Sequence, residues 1–495
     1  MGIKKQAYTF WFLTGSQHLY GRETLDQVEE QTRGVVEGLN KADLPFEIKI
    51  KPVLTTREEI RNVIRDANVD EDCAGVITWM HTFSPAKMWI DGLTILQKPM
   101  LHLHTQYHRD IPWDSIDMDY MNLNQSAHGD REFGFMVSRL NINRKVVVGH
   151  WSNEDVQTRV KEWMKTAVGH AENQKVKVVR FGDNMRRVAV TEGDKVEAQI
   201  KFGWTVDGYG IGDLVEYMNG FSDSEVEQRY KEYENQYRIA SAVTSDLSKK
   251  QNVLDQARIE LGLQAFFDEE GYNAFTTTFE DLHGMPQLPG LAAQRMMEKG
   301  YGFAGEGDWK TAAFLRMMKV MTNNERTTFM EDYTYHLEPG NELVLGSHML
   351  EICPTVAQNQ PEIQVHPLGI GGKADPARMV FDGVGGHAVN AALIDLGHRF
   401  RLVINEVDAV VPTQDTPNLP VAKLLWKPQP SLSTATEAWI HAGGAHHTVL
   451  SFTASVDQLL DWAEMSGIEA VIINKNTEIY QLKDTLKWNE LVWKK

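Results

Sequence analysis

The chain has 495 residues, of which 42% are hydrophobic and 24% charged, a composition typical of a globular protein with room for about three domains. Its 50 Lys and Arg against 68 Asp and Glu give a formal net charge of −18, which disfavours binding to nucleic acid or to anionic lipid. No apolar tract is long enough to cross a bilayer, and no secretory cleavage site follows the apolar start. The two cysteines, Cys73 and Cys353, lie far apart in the sequence. We therefore expect a cytoplasmic protein without disulfides.

Up to about residue 325, short apolar runs alternate with stretches of helical periodicity. The runs that indicate buried strands are YTFWFLTGS (8–16), CAGVITWMH (73–81), PMLHLHTQ (99–106), KVVVGHW (145–151), VKVVRFGDN (176–184) and AFTTTFED (274–281). Two sets of residues each share one helical face, Val156, Val160, Trp163 and Ala167 in the first and Phe314, Met317, Met318 and Met321 in the second. This α/β alternation predicts two Rossmann-like parallel-sheet domains, residues 1–175 and 176–325.

Several polar residues follow these predicted strands. His81, Asp183 and Glu280 should lie at the carboxyl ends of strands, where parallel sheets bind their ligands. His102 and His104 alternate on one strand and point to the same face, which makes them either a candidate ligand pair or core histidines with ordinary partners. No H-E-x-x-H motif occurs, so the usual helix of zinc proteases is absent.

From about residue 326 the pattern becomes strand-rich. The predicted strands are ELVLGSHM (342–349), IQVHPLG (363–369), ARMVFDG (377–383), FRLVINEVDAVV (400–411) and AKLLWKP (422–428), with few helices between them. This favours an antiparallel, barrel-like third domain over residues 326–495.

A glycine-rich segment in this region offers a competing interpretation. In MVFDGVGGHAVNAALIDLG (379–397), Gly383, Gly385 and Ala388 form a G-x-G-x-x-A pattern between a strand and a helical pattern, and Glu406 follows about 20 residues later. That arrangement is typical of a dinucleotide site, but a glycine-rich turn in a strand-rich region explains it more simply. The segment GIGGK (369–373) is a weaker phosphate-loop match because Ala374 follows the lysine.

The segments between residues 301 and 351 carry the strongest candidate chemistry. In GFAGEGDWKTAA, Glu306 stands between two glycines just before a helix that Asp308 can cap, so a purely capping role for Glu306 would be redundant. FMEDYTYH presents Glu331, and LGSHMLE presents His348, both among aromatic and small residues that suggest burial. Buried carboxylates need partners, which a divalent cation or an ordinary ion pair can supply.

Near the C-terminus, HAGGAHHTVL (441–450) places His446 and His447 side by side after a Gly-Gly-Ala turn. They could be surface residues, metal ligands or an acid–base pair. Spacing alone cannot join these histidines to Glu306, Glu331 and His348, because the residues are dispersed along the chain.

The whole chain closely resembles bacterial L-arabinose isomerases. The resemblance is carried by long segments in all three predicted regions, including GSQHLYG, WMHTFSPAKMWI, PWDSIDMDYMNLNQSAHGDREFG, GEGDWKTAA, FMEDYTYH and AGGAHHT. It implies a metal-dependent aldose–ketose isomerase that converts L-arabinose to L-ribulose through a cis-enediol, with D-galactose to D-tagatose as a side activity.

The resemblance also implies roles for individual residues. The metal ligands would be Glu306, Glu331, His348 and His447, binding one Mn²⁺ per subunit or another divalent ion such as Co²⁺, and Glu306 and Glu331 would be catalytic. The sugar-binding residues would be Gln17, Leu19, Met185, Phe279, Ile370, His446 and, from a neighbouring subunit, His128. The implied assembly is a homohexamer with sites at subunit borders.

Two other classes of protein remain open at this stage. A nicotinamide oxidoreductase would use the Gly383 segment. A sugar-binding protein without catalysis would need only the two α/β domains and usually a signal peptide.

Overall fold

The computed structural model describes residues 6–370 and 372–493, which form an N-terminal unit up to Ala171 and a C-terminal unit from Glu172. Among the helices of these residues, none combines the length and apolar character that a membrane span requires.

The N-terminal unit is built on one parallel sheet. Its strands are β1 Thr9–Thr14, β2 Glu47–Ile50, β3 Cys73–Trp79, β4 Met100–His104 and β5 Lys145–Val148. Its helices are α1 Gly21–Asn40, α2 Arg57–Val69, α3 Ile90–Leu93, α4 Met118–Leu123, α5 Ser126–Arg139 and α6 Glu154–Asn173. The strand order is β2-β1-β3-β4-β5, and every pairing is parallel.

Continuous burial explains why the sequences of the central strands are uninterrupted apolar runs. All residues of β1 and β3 are buried, because helices cover both faces of a parallel sheet. The α6 face predicted from Val156, Val160 and Trp163 is buried, which confirms that prediction. A capping box formed by Thr56 and Glu59 fixes the start of α2.

The first part of the C-terminal unit contains a second parallel sheet. Its strands are β6 Lys177–Phe181, β7 Thr205–Tyr209, β9 Ala274–Thr276 and β10 Gly302–Ala304, in the order β10-β9-β6-β7, whereas β8 Arg238–Ile239 joins a separate small sheet. The helices are α7 Lys195–Phe202, α8 Ile211–Asn219, α9 Asp223–Gln236, α10 Ser241–Thr244, α11 Leu247–Glu270, α12 Gly290–Glu298 and α13 Trp309–Met321.

Helix α13 differs from the predicted amphipathic helix. Phe314, Met317, Met318 and Met321 are buried as expected, but every other residue of the helix is buried too. The helix packs against strands β9 and β10 and also against β11, β15 and β18 of the strand-rich region, so it has no solvent face.

The strand-rich region follows α13. Its strands are β11 Thr327–His336, β12 Leu343–Ser347, β13 Glu362–Val365, β14 Ala377–Val380, β15 Gly386–Asp395, β16 Phe400–Val410, β17 Leu424–Pro428, β18 His447–Ser451 and β19 Glu469–Ile473. Its helices are α14 Leu432–Ala442, α15 Val456–Ser466 and α16 Ile479–Val492. The largest sheet has the order β15-β18-β11-β12-β17-β16-β19, and a further pairing of β15 with β16 closes six of these strands into a ring.

The helical pattern predicted after Gly385 is wrong, because Gly386–Asp395 is strand β15. This strand pairs with β16 along one edge and with β18 along the other, and Ala388–Leu393 are buried. A strand buried on both faces lacks the alternation that distinguishes it from a helix, so the Ala-rich sequence was misleading. The helix that a dinucleotide site requires after its glycines is therefore not present at this segment.

The protein thus has parallel-sheet α/β regions followed by a strand-rich region with a seven-stranded sheet, which confirms the predicted fold class. The division into domains at residues 175 and 325 stays a prediction.

Candidate metal centre

The loop that carries Glu306 joins β10 to α13 at the carboxyl edge of the second parallel sheet. Glu306 has a φ of +61° and Gly307 a φ of +80°, a left-handed turn that is costly for a glutamate. Two backbone hydrogen bonds hold this turn, from the Gly307 N–H to the Thr277 carbonyl at 3.0 Å and from the Met185 N–H to the Glu306 carbonyl at 2.9 Å.

The flanking glycines allow a close approach of neighbouring groups. A Cβ atom added at Gly305 would lie 2.6 Å from Cε1 of His348, and one at Gly307 would lie 2.5 Å from the Asn184 Cα. Side chains at these two positions would therefore displace a histidine ring or a neighbouring backbone segment.

Glu306 meets the two adjacent histidines at the start of β18. Its Oε2 atom lies 3.7 Å from Nε2 of His446 and 3.8 Å from Nε2 of His447. One ligand atom from each of these three residues falls within 4.8 Å of the others, so the group could hold a metal ion. Glu331 and His348 are not in this group of three.

The environment divides the roles of the two histidines. His447 is fully buried, and its Nδ1 lies 3.1 Å from Oδ2 of buried Asp308. Burial lowers the pKa of His447 although Asp308 opposes this, so the ring favours its neutral form. Its Nε2 atom is buried and has no hydrogen-bond partner among residues 6–370 and 372–493.

His446 is 40% exposed, and its Nε2 atom makes an ion-pair contact of 3.7 Å with the Glu306 carboxylate. The Glu306 carboxylate raises the pKa of His446 despite partial burial. The same contact with His446 is the main reason why the pKa of Glu306 is lowered, although burial of the carboxyl group opposes the change. Glu306 is therefore ionised near neutral pH, while His446 gains protons more readily than a free histidine.

His348 follows the last residue of β12 and is buried. Its ring centroid lies 5.6 Å from that of His447, and both rings pack edge-on against Phe329. The Nδ1 atom of His348 lies 2.7 Å from Oε2 of Glu351. Burial alone would lower the pKa of His348, but the Glu351 carboxylate raises it overall.

The register of the strands aligns Glu331 with the segments that carry His348 and His447. In the ring, Glu331 on β11 pairs with His447 on β18 and, on its other edge, with Ser347, the residue before His348. Directly paired residues of antiparallel strands project to the same face of a sheet. Two consecutive strands, β11 and β12, are thereby aligned with β18, which follows much later in the sequence.

The neighbouring Asp332 differs sharply from an ordinary surface aspartate. Burial raises its pKa to about 7, the Glu331 carboxylate adds to this effect, and a hydrogen bond of 3.2 Å from the Asn390 amide opposes it. Asp332 is consequently a carboxyl group with a substantial protonated fraction at neutral pH.

The residues expected to contact sugar lie in both units. In the C-terminal unit, Met185 bonds to the Glu306 loop, Phe279 stacks at 6.2 Å from the His348 ring, and Ile370 is 38% exposed in the loop after β13. In the N-terminal unit, Gln17 and Leu19 lie in the loop after β1, where Leu19 is 84% exposed.

His128, the remaining residue of this set, is exposed on α5. Its ring lies 4.8 Å from that of Phe83. The sugar-binding roles of all these residues stay predictions.

The other polar residues at strand ends have local partners. His81 is buried and stacks on Trp79, Asp183 pairs with Arg180 at 2.9 Å, and the Glu280 carboxylate accepts the backbone N–H of Arg186 at 2.7 Å. His102 and His104 both bond to Asp130 at 2.8 Å. They are therefore core histidines with a shared carboxylate partner, the more ordinary of the two interpretations left open by the sequence.

Two carboxylates of the site were not predicted from the sequence. Asp308 caps α13, as its spacing predicted, but the same side chain also orients His447. Glu351 stands only three residues after His348, close enough in sequence to suggest itself as the partner of that histidine.

The donor set fits a divalent cation. The buried, unpartnered Nε2 atom of His447 faces the ionised carboxylate of Glu306, and carboxylate oxygen together with neutral imidazole is a suitable set for Mn²⁺. Asp308 and Glu351 hold the Nδ1 atoms of their histidines, which is how carboxylates commonly orient metal-binding imidazoles.

Comparison with known proteins covers nearly the whole chain. The family model of the L-arabinose isomerase N-terminal domain matches residues 4–175, that of the central domain matches residues 177–324, and that of the C-terminal domain matches residues 326–469.

Among similar proteins, an L-arabinose isomerase from Halalkalibacterium halodurans is 63% identical over 489 residues, which cover 99% of this chain and 98% of that protein. Another L-arabinose isomerase, from Geobacillus stearothermophilus, is 63% identical over 493 residues and 99% of both chains. A third, from Bacillus subtilis, is 60% identical over 492 residues and again 99% of both chains.

Proposed function

The chain belongs to the L-arabinose isomerase family, and from this premise we propose that it converts L-arabinose to L-ribulose by metal-assisted proton transfer. The observation that carries the proposal is the convergence of the ionised Glu306 carboxylate on the buried, unpartnered Nε2 atom of His447.

The ion that suits this site is Mn²⁺, one per subunit, with Co²⁺ as an alternative. The residues that would hold it are Glu306, Glu331, His348 and His447. The pairing of Glu331 with His447 and the 5.6 Å separation of the His348 and His447 rings support this set. When bound, the ion would polarise the sugar carbonyl and acidify the adjacent C–H.

Glu306 and Glu331 are the residues we assign to proton transfer. One carboxylate takes the proton from C2 of the aldose, a cis-enediol forms, and a proton is returned to C1 while the hydroxyl protons move between O1 and O2, so the aldose becomes a ketose without a net change in composition. The lowered pKa of Glu306, caused chiefly by its contact with His446, keeps that carboxylate in its proton-accepting form.

The sugar itself would be held by Gln17, Leu19, Met185, Phe279, Ile370, His446 and His128, the last from a neighbouring subunit. The sugar-binding assignment is best supported for His446. This residue is partly exposed, and its raised pKa makes it a good hydrogen-bond donor to a sugar oxygen. We further propose a homohexamer in the cytoplasm and a slower conversion of D-galactose to D-tagatose.

An assay of ketose formation on a panel of aldoses tests this function. With added Mn²⁺, we expect L-arabinose to be the best substrate and D-galactose a poorer one. Chelation should abolish the activity and lower the unfolding temperature, because an ion that binds only the native state stabilises it. Full activity in protein shown by elemental analysis to be metal-free would contradict the proposal.

A further inference from the structure

Lys310 is a buried cation next to the candidate metal centre. It is the second residue of α13, after the N-cap Asp308, and it is 1% exposed. Its Nζ atom donates hydrogen bonds to the carbonyls of Val190 at 3.0 Å and Glu192 at 2.7 Å, and to Oδ1 of Asp308 at 3.3 Å.

This position is unfavourable for a lysine on two counts. The first turn of a helix carries the positive end of the helix dipole, and a buried ammonium group has lost its hydration. Lys319, the other buried lysine of the same helix, lies in the last turn, where the dipole favours a cation. A residue that violates local preferences in this way is expected where the surrounding network serves function.

The network around Lys310 reaches two of the candidate ligands, His447 and Glu306. Through Oδ1 of Asp308 it connects to the carboxylate whose Oδ2 atom contacts Nδ1 of His447. Through the Val190 and Glu192 carbonyls it secures the segment that begins near Met185, whose N–H bonds to the Glu306 carbonyl.

Asn184 provides a second connection between this segment and the Glu306 loop. The Asn184 amide donates to the Thr191 carbonyl at 2.5 Å and to the Gly307 carbonyl at 3.2 Å. The segment 184–192 is therefore tied to the Glu306 loop at one end and to Lys310 at the other.

A glycine makes room for the lysine stem. A Cβ atom added at Gly193 would lie 2.9 Å from Cδ of Lys310 and 2.9 Å from Cζ2 of Trp309. The backbone at Gly193 has no left-handed φ, so an alanine would perturb this position mainly by crowding the lysine and Trp309.

We propose that Lys310 is a positioning residue of the metal centre. It fixes Asp308, and through Asp308 the ring of His447, relative to the loop that carries Glu306. The inference rests on the proposed function, because it concerns the geometry of the same ligand set.

The test compares Lys310→Met with Lys319→Met in the full chain. Both variants remove a buried ammonium group from α13, but Lys319 bonds to Asn324, Thr327 and Cys353 and lies outside the network. The measurements are the dissociation constant for Mn²⁺ by isothermal titration and the unfolding temperature without metal. We expect Lys310→Met to weaken Mn²⁺ binding by about tenfold or more, the usual scale for groups that orient metal ligands, and Lys319→Met to leave it unchanged.

A second variant, Gly193→Ala, displaces the lysine stem without removing its charge and should also weaken Mn²⁺ binding. If Lys310→Met does not fold, the Mn²⁺ affinity of Gly193→Ala tests the positioning role of Lys310 instead. The inference is overturned if the foldable variants at positions 310 and 193 bind Mn²⁺ like the wild type, or if Lys319→Met weakens binding equally.

Glu306→Gln, measured in parallel, separates this failure from that of the proposed function. If Glu306→Gln weakens binding and the Lys310 and Gly193 variants do not, only the positioning role is lost. If the wild type itself does not bind Mn²⁺, the metal centre is wrong and the positioning role falls with it.

Discussion

At the scale of single residues, the adjacent histidines show how environment divides chemistry between identical side chains. His447 is buried, favours its neutral form and is oriented by Asp308, whereas His446 is partly exposed and gains protons through its contact with Glu306. A neutral imidazole with a free Nε2 lone pair suits a metal, and a ring with a raised pKa suits a sugar oxygen.

The two glutamates give the clearest residue-scale prediction. Glu306→Gln and Glu331→Gln retain size and one oxygen but lose the basic carboxylate, so turnover should fall by at least about a hundredfold, the usual scale for general acid–base groups. Glu437→Gln, an exposed carboxylate on α14, is the matched control and should keep wild-type turnover. Turnover should be measured with metal content verified in each variant. Near-wild-type turnover in either metal-loaded variant would remove that glutamate from proton transfer.

Only part of this residue-scale account could be predicted from the sequence. The N-cap position of Asp308 follows from local spacing, since a cap contacts the backbone of its own helix. Its contact with His447 depends on the packing of β18 beside α13, which no local pattern encodes.

At the scale of elements, the turn between β10 and α13 fixes the backbone position of Glu306. The turn is compact because Gly305 touches the His348 ring and Gly307 touches the backbone at Asn184. Both contacts require the absence of a side chain, which explains why the glutamate has a glycine on each side.

Gly305→Ala tests this element-scale explanation. Because the new Cβ would lie 2.6 Å from the His348 ring, we expect the ring to move and Mn²⁺ affinity and turnover to fall together, with folding preserved. Gly212→Ala in α8 is the control, since a Cβ there meets nothing within 4 Å. Mn²⁺ titration and unfolding temperature of both variants provide the measurement. Unchanged Mn²⁺ affinity in Gly305→Ala would show that the close contact has no functional importance.

The elements themselves were largely predictable where burial and periodicity agree. β1 and β3 are fully buried runs bounded by turns, and they appear where the sequence predicted them. β15 and α13 differ from the predictions for one physical reason: most of β15 and all of α13 are buried, so neither shows the polar–apolar alternation from which its type or its exposed face could be inferred.

At the scale of the whole molecule, the candidate centre depends on long-range pairing. The closed ring brings β11 beside both β12 and β18, so Glu331 lies between the segments of His348 and His447, and α13 holds the Glu306 loop against them. Composition and spacing could identify these residues as candidates but could not show that they belong to one site. That required either the family resemblance or the sheet register.

The location of a bound ion decides whether Glu306 and His447 belong to a metal centre. Crystals of the full chain grown with Mn²⁺ should show an anomalous scattering peak at about 2–2.3 Å from Nε2 of His447 and a carboxylate oxygen of Glu306, the usual range for such ligands. The peak should be absent from crystals of His447→Ala grown in the same way. A strong peak elsewhere in the chain with none at this centre, in crystals that form ketose from L-arabinose, would contradict the account.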